Sequence, residues 1–218
     1  MRIERFFTPD DLRRIEEAVR AAEGRTSGEI VPYAVERSDA YASGIWRATT
    51  TGAFAGAMLA ALASGGAELW GPPPVLWIVA PTACGAAVAF LLAAAFGPVR
   101  RLFIPGPLMA ERVSERADQA FLEEEVFATR ERTGILVFLS LFERRVVVRA
   151  DRGIAAVVAQ SEWDGVVSTI VDGIRSGRTG EALARGILAC GEILERHRVD
   201  RRVDDRDELR DGLRIREP

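Results

Sequence analysis

Apolar and charged residues are segregated along this chain. Within 48–99 the only charged residue is Glu68, whereas both flanking segments are rich in arginines and carboxylates. A helix over 48–67 is about 30 Å long, which matches the hydrocarbon core of a bilayer. After a Gly-Pro-Pro-Pro turn, a second apolar stretch predicts another helix over about 75–96. The pattern therefore predicts a two-helix transmembrane hairpin within 47–99, in contact with the lipid bilayer.

Small residues recur every four positions in the first predicted span, and they include Gly52 and Gly56. A G-x-x-x-G spacing lets another helix backbone approach closely. Two alternatives follow. The glycines form the seam of a homodimer, or they pack against the second span of the same hairpin. We favour packing within the hairpin, and a homodimer through Gly52 and Gly56 stays the alternative.

Arginine placement predicts the orientation of the hairpin. Arg47 precedes the first span, and Arg100 and Arg101 follow the second, whereas the turn between the spans has no basic residue. Because basic residues stay on the cytoplasmic side, we expect a multi-pass protein of the cell (inner) membrane. Both termini and the folded domain are then cytoplasmic. The short, charged segment 1–7 does not have the pattern of a secretory signal.

The flanking segments carry the periodicities of helices and strands. Thr8, Pro9 and Asp11 predict a capped helix start, and an apolar stripe follows until Gly24. Residues 29–37 then predict a strand. Because one helix and one strand cannot bury a core, their partners must come from beyond the hairpin.

Residues 100–197 supply those partners. A nearly continuous apolar run over 134–141 predicts a strand covered on both faces. The other predicted elements are a helix over 107–129, a strand over 145–150, a helix opened by a Ser161–Asp164 capping box and ended at Gly177, and a helix over 180–197. We therefore expect one α/β domain, formed by 1–46 and 100–197 and interrupted by the hairpin at 47–99. The charge-dense segment 198–218 is predicted to be a solvated, disordered tail.

Composition argues against several functions. The net charge of −3 and the alternating signs do not fit a nucleic-acid binder, which has a basic face. Cys84 and Cys190 are both predicted to be small buried apolar residues. Cys190 and Arg196 match the C-x5-R spacing of cysteine phosphatases, but Cys190 lies in a helical apolar stripe and no phosphate loop surrounds it. The single histidine, His197, is predicted to end the last helix rather than to act as a base.

Four carboxylates stand next to predicted strand or helix ends, namely Glu29, Asp39, Asp151 and Asp164. Oxygen ligands at such positions suit Ca²⁺ or Mg²⁺, and the candidate metal ligands are Asp39, Asp151 and Asp164. The alternative for each residue is structural. Asp164 is then a helix cap, Asp39 and Asp151 are turn residues, and Glu29 is a solvated strand end. The metal hypothesis requires that the three aspartates converge in the fold.

The segments Arg25–Val31, Thr133–Ser140 and Arg144–Ile154, in this order, resemble the TPM-domain family. The resemblance covers about 6–39 and 110–196, so the hairpin and the tail lie outside it. It implies an α-β-α sandwich with a central sheet. Some members of that family are associated with acid phosphatase activity and some with binding of divalent cations, notably calcium. Others are associated with the maintenance of membrane complexes, as in photosystem repair.

Two functions follow as hypotheses. The first is a membrane-tethered, TPM-like interaction domain that supports assembly or maintenance of a membrane protein complex, with another membrane protein as its partner. The second is a divalent-metal-dependent phosphatase, in which Asp39, Asp151 and Asp164 hold the metal and a metal-bound water is the nucleophile. We favour the first, because the chain has a predicted anchor and few of the usual catalytic motifs.

Overall fold

The computed structural model of the chain describes residues 6–66, 75–197, 199 and 209–216. These residues fall into two compact units, one drawn from 1–39 and 110–218 and the other from 40–109. In chain order, the elements are α1 (Pro9–Glu23), β1 (Glu29–Val35), α2 (Ala42–Gly66), α3 (Leu76–Ala95), α4 (Gly97–Leu102), α5 (Gly106–Glu123), a 3₁₀ turn (Val126–Ala128), β2 (Gly134–Ser140), β3 (Arg145–Ala150), α6 (Arg152–Ala155), a 3₁₀ turn (Gln160–Trp163), α7 (Asp164–Arg175), α8 (Thr179–Arg196) and β4 (Arg214–Arg216).

The first unit is built on a four-stranded mixed sheet with the strand order β3-β2-β1-β4. β1 runs parallel to β2 and β4, and Glu29 lies opposite Gly134. β3 runs antiparallel to β2. Every residue of β1 and β2 is buried. For β2, this agrees with the prediction that its continuous apolar run forms a strand covered on both faces. The α/β fold class is therefore confirmed.

Helices cover both faces of this sheet, and each face has its own apolar cluster. Alternate residues of β1 point to opposite faces. Ile30 and Ala34 join side chains of α1, α7 and α8 in one cluster. Val31, Tyr33 and Val35 join side chains of α5 in the other. Both clusters combine residues from before and after the 40–109 unit, so neither chain segment has a complete core of its own.

The start of α1 follows its sequence signal. The Thr8 side chain accepts a hydrogen bond from the Asp11 backbone N–H, and Asp11 accepts one from the Thr8 backbone N–H, which completes the predicted capping box. The similar Ser161–Asp164 box predicted for α7 is wrong. A 3₁₀ turn occupies Gln160–Trp163, and α7 begins at Asp164 without a side-chain cap. The buried Trp163 anchors this turn in the core instead.

The tail prediction is wrong for the end of the chain. Arg214–Arg216 form β4, which pairs with β1 at the outer edge of the sheet. Leu213 and Ile215 pack against the apolar cluster of α1 and α8. The remainder of the predicted disordered segment, at 198, 200–208 and 217–218, lies outside the described residues.

The second unit contains two long antiparallel helices, α2 and α3. A Cβ atom added at Gly52 would collide with the Gly85 carbonyl oxygen, and one added at Gly56 would collide with that of Pro81. The glycine seam therefore faces the neighbouring helix of the same chain, which is the alternative favoured above. A homodimer through Gly52 and Gly56 would first require α2 and α3 to separate.

The bounds of α3 agree with the predicted second apolar helix to within a residue, whereas α2 begins six residues before the first helix predicted over 48–67. The predicted polar turn around Glu68 lies outside the described residues. Within the part of the chain that the structure describes, one helix, α3, is long and apolar enough by itself to cross a membrane.

Candidate functional site

The carboxyl ends of the parallel strands β1 and β2 carry a connected polar cluster. Glu143 is 1% exposed and accepts hydrogen bonds from the Ser38 backbone N–H, at 2.9 Å, and from the Ser140 hydroxyl. The Ser38 hydroxyl donates to Ser140 Oγ at 3.0 Å. In α/β sheets, this end of the strands is where ligands bind. Here, however, the Ser38 hydroxyl donates to Ser140 and the Ser140 hydroxyl donates to Glu143. These hydrogen bonds hold the two strand ends together.

Asp39 lies beside this cluster. Its Oδ2 is 3.3 Å from Arg112 Nε, and Arg112 also donates to Glu115 at 2.7 Å. The Asp39 carboxylate therefore faces a guanidinium, an arrangement that neutralises its charge without a metal ion. At the same strand end, Arg37 Nε is buried and has no hydrogen-bond partner among the residues described here.

Asp151 lies at the opposite end of the sheet. Its backbone N–H donates to the Gly134 carbonyl at 2.8 Å, which places it where β2 begins. Its Oδ1 accepts from the Arg152 backbone N–H at 2.7 Å, and its Oδ2 is 2.9 Å from Arg132 Nε. One carboxylate oxygen therefore caps α6 and the other pairs with Arg132. The role is structural, but it is that of a helix cap rather than of the turn residue proposed from the sequence.

The three predicted metal ligands are not brought together. Asp39 lies four residues beyond the end of β1, whereas Asp151 lies beside the first residue of β2, so at least the length of a seven-residue strand separates them. At about 3.3 Å per residue this is roughly 20 Å. Asp164 lies at the exposed start of α7. Across the described ranges, no group of three or more His, Cys, Asp or Glu side chains is arranged to hold a metal ion.

Glu29, the fourth carboxylate, is buried rather than solvated. It is 6% exposed at the start of β1, and its Oε2 accepts from the Leu209 backbone N–H at 3.3 Å. This contact joins the strand to the C-terminal segment. Neither alternative considered for Glu29 from the sequence included that role.

The two cysteines differ in environment. Cys190 is fully buried in α8, and desolvation raises the pKa of its thiol to about 12. Because the thiolate is the nucleophile, the Cys190–Arg196 match does not form a phosphatase site. Cys84, predicted to be buried, is exposed on α3.

His197 caps the C-terminal end of α8, as predicted. Its Nε2 lies 2.8 Å from Glu162 Oε2. This hydrogen bond lowers the pKa of the Glu162 carboxyl. The pair connects the end of α8 to the 3₁₀ turn before α7, so His197 has a structural partner rather than a substrate-facing position.

Sequence reasoning missed the ionic contacts of β4. Arg214 Nε and Arg216 Nη2 lie 3.3 and 3.2 Å from the two carboxylate oxygens of Glu124, just beyond α5. The signal was present in the alternation of leucine, arginine, isoleucine and arginine over 213–216, which is a strand period. The surrounding charge density obscured it.

The 40–109 unit exposes large apolar side chains around both of its long helices. More than half of the surface is exposed at each of Phe54, Met58, Leu59, Leu62, Leu76 and Leu91. Soluble proteins rarely expose contiguous apolar surface on this scale, and such surfaces mark membrane or protein contacts. At the C-terminal end of α3, Arg100 donates to the carbonyls of Ala93 at 3.0 Å and Ala94 at 2.9 Å.

Comparison with known proteins supports the fold alone. No family model matches the chain, and no curated protein matches it. The NMR structure of the BA42 protein from the psychrophilic bacterium Bizionia argentinensis is similar, with a TM-score of 0.60 and 20% sequence identity over 99% of each chain. At this level of identity the likeness concerns the backbone arrangement, and the TPM resemblance stays a prediction from the sequence.

Proposed function

We propose that the chain is a membrane-tethered interaction domain, in which α2 and α3 cross the cell membrane as a hairpin and the α/β unit binds a membrane protein partner. Its role is then the assembly or maintenance of a membrane protein complex. The observation that carries the proposal is the exposed apolar surface of α2 and α3. In a bilayer this surface faces lipid, and no part of it requires a protein cover.

Two features at the helix ends support a spanning hairpin. Trp46 lies near the start of α2 and Trp77 near the start of α3, and both are more than 60% exposed. Because the helices are antiparallel, these two residues mark opposite ends of the hairpin, where aromatic belts form at membrane interfaces. Arg47 and Arg101 both lie at the Trp46 end, which assigns that end to the cytoplasm by the positive-inside rule.

The polar clusters of the α/β unit favour interaction over catalysis. At one end of the sheet, Ser38, Ser140 and Glu143 bond to one another. At the other end, Asp151 forms an ion pair with Arg132 and accepts a hydrogen bond from the N-terminus of α6. The metal-dependent phosphatase hypothesis needed Asp39, Asp151 and Asp164 in one site, and the strand length between the first two separates them. These contacts therefore favour the interaction function.

Cys84 tests the membrane proposal directly, because it is exposed in the protein but lies midway along α3. In a Cys190→Ala background we expect a water-soluble maleimide to leave Cys84 unlabelled in intact membranes and to label it after SDS denaturation. A matched control is Ser43→Cys with Cys84→Ala, since Ser43 is exposed at the start of α2. This control is expected to label in inside-out vesicles and not in intact cells. Labelling of Cys84 at the rate of the control would overturn the membrane proposal.

The interaction function has its own test. Chemical crosslinking in intact membranes, followed by purification of the full chain, is expected to recover one membrane protein in stoichiometric amount. Recovery of this chain alone would contradict the interaction function and leave the membrane anchor standing.

A further inference from the structure

β4 pairs over a short length with a strand that is itself completely buried. All seven residues of β1 are buried, and β4 covers its outer edge over only three register pairs, from Tyr33–Arg214 to Val35–Arg216. Within the described C-terminal segment 209–216, every residue is partly or fully exposed. A short, half-exposed strand opens at much lower free energy than the centre of a sheet.

The two faces of β4, which pairs with the outer edge of β1, meet different surroundings. On one side, the Glu124 carboxylate accepts from both Arg214 and Arg216, and its side chain is 14% exposed. On the other side, Ile215 packs on the apolar cluster of α1 and α8. Recognition therefore combines main-chain pairing with arginines at alternate positions and an aliphatic residue between them, which is the pattern of strand-addition sites.

Departure of β4 leaves two unsatisfied features. The backbone groups of β1 at Tyr33–Val35 lose their pairing, and an unpaired edge recruits another strand. The Glu124 carboxylate, whose side chain is 14% exposed while β4 is in place, loses both of its cations. An occupant with arginines at the same two positions restores both charged hydrogen bonds, so this edge favours an occupant that carries arginine.

We propose that the outer edge of β1 is a strand-binding site, which β4 fills within the same chain and which accepts in exchange an extended arginine-x-arginine segment of the partner protein. This inference rests on the proposed interaction function. It assigns the place and the chemistry of the partner contact. Because β4 is tethered, its effective concentration is on the order of millimolar. A partner segment therefore competes when it is itself concentrated, as it is within one membrane complex.

Hydrogen exchange on the full chain in detergent micelles is the first test. We expect the amides of β4 to exchange through local opening, on the order of 100-fold faster than those of β2. Glu124→Gln is expected to speed exchange of β4 at least about tenfold, because it weakens the charged contacts of two arginines. Glu125→Gln is the matched control, since it removes the same charge from an exposed neighbour. Exchange of β4 as slow as that of β2, or equal effects of the two variants, would overturn the proposal.

Peptide binding is the second test. A fluorescent peptide of residues 209–216 is added to the chain truncated after residue 208. We expect binding to the truncated chain and at least about tenfold weaker binding to the full chain, where β4 competes. A peptide with Arg214→Ala and Arg216→Ala is expected to lose binding. Absence of binding to a folded truncated chain contradicts the proposal, and if truncation prevents folding, the exchange experiment decides.

Two further outcomes distinguish this inference from a strand-exchanged dimer and from the proposed function itself. Concentration-dependent dimers with exchanged β4 strands would show that a second copy is the occupant, and would overturn the assignment to a partner. Failure of the peptide experiment leaves the crosslinking and maleimide tests unaffected, so the strand site and the proposed function can fail separately.

Discussion

At the scale of single residues, His197 shows how a side chain with catalytic potential can be structural. It ends α8, and its Nε2 lies 2.8 Å from Glu162 Oε2, with Arg196 Nη1 at 3.8 Å from the same oxygen. The hydrogen bond to His197 is the largest cause of the lowered pKa of Glu162. A lowered carboxyl pKa in the folded state stabilises the fold above the unfolded pKa of about 4.3, and this contribution is lost as pH falls through the folded value.

His197→Ala is therefore expected to raise the pKa of Glu162 towards its ordinary value. Carboxyl-carbon NMR titration of Glu162 measures this change. His197→Gln is the matched control, because the amide keeps a hydrogen-bond donor and is expected to give an intermediate value. The free energy of unfolding of the alanine variant is expected to be lower than that of the parent above about pH 4.3. This difference is expected to vanish in more acidic solution. Identical titration curves for the parent and the alanine variant would contradict this assignment.

The sequence predicted the position of His197 but not its partner. A histidine before a charged segment at the end of an apolar helical stripe indicates a helix end, which is local information. Glu162 is 35 residues away, and its approach depends on how α7 and α8 pack. The same distinction holds for Asp39 and Asp151. The sequence placed both correctly after strands, but without the strand directions it could not assign them to opposite ends of the sheet.

At the scale of elements, the glycines of α2 allow close packing that a larger residue prevents. Gly52 faces the Gly85 carbonyl and Ala89 Cβ on α3, so the helix backbones are in direct contact there. Small residues at such crossings are the usual means by which helices associate in lipid. The spacing of the glycines was visible in the sequence, and the choice between a neighbour within the chain and a second copy required the structure.

Gly52→Leu is accordingly expected to lower the free energy of unfolding of the hairpin by at least about 1–3 kcal/mol through overpacking against backbone atoms. Titration with SDS in mixed micelles, monitored by tryptophan fluorescence, measures the loss. Ala63→Leu is the matched control on an exposed position of the same helix, where the added side chain meets only detergent. Equal unfolding curves for the two variants would show that the Gly52 contact is not part of the hairpin.

The strands illustrate where sequence patterns work and where they fail. β2 is a continuous apolar run between turn residues, and β3 alternates, so both were predicted to within a residue of their observed bounds. β4 has only three residues in a charged segment, and its order depends on Glu124 and on the edge of β1. Neither contact is local, so composition alone indicated disorder.

At the scale of the whole molecule, the α/β unit is assembled from two distant chain segments. β1 lies in the middle of the sheet and comes from before the 40–109 unit, whereas its neighbours β2 and β4 come from after it. Both apolar clusters depend on β1. The unit therefore requires both segments, and among the described residues neither apolar cluster includes one from the helical unit between them.

Replacement of 40–109 by a short glycine-serine linker is expected to give a soluble α/β unit that unfolds in one cooperative transition. Asp39 Oδ2 lies 3.3 Å from Arg112 Nε, so the two junctions are close enough for such a linker. Thermal unfolding followed by circular dichroism measures cooperativity. The fragment 110–218 is the control, and it is expected to remain unfolded because it lacks α1 and β1. Cooperative folding of that fragment, or an unfolded linker variant, would contradict this division of the chain.

The short distance between Asp39 and Arg112 has a consequence for the history of such a chain. The entropy cost of closing the host around an insertion grows only with the logarithm of its length, by about 0.6 kcal/mol for each doubling. Helices can then be gained, lengthened or lost between β1 and α5 without any adjustment of the sheet. The helical unit is in this sense a removable module, and selection can act on its sequence independently of the fold that carries it.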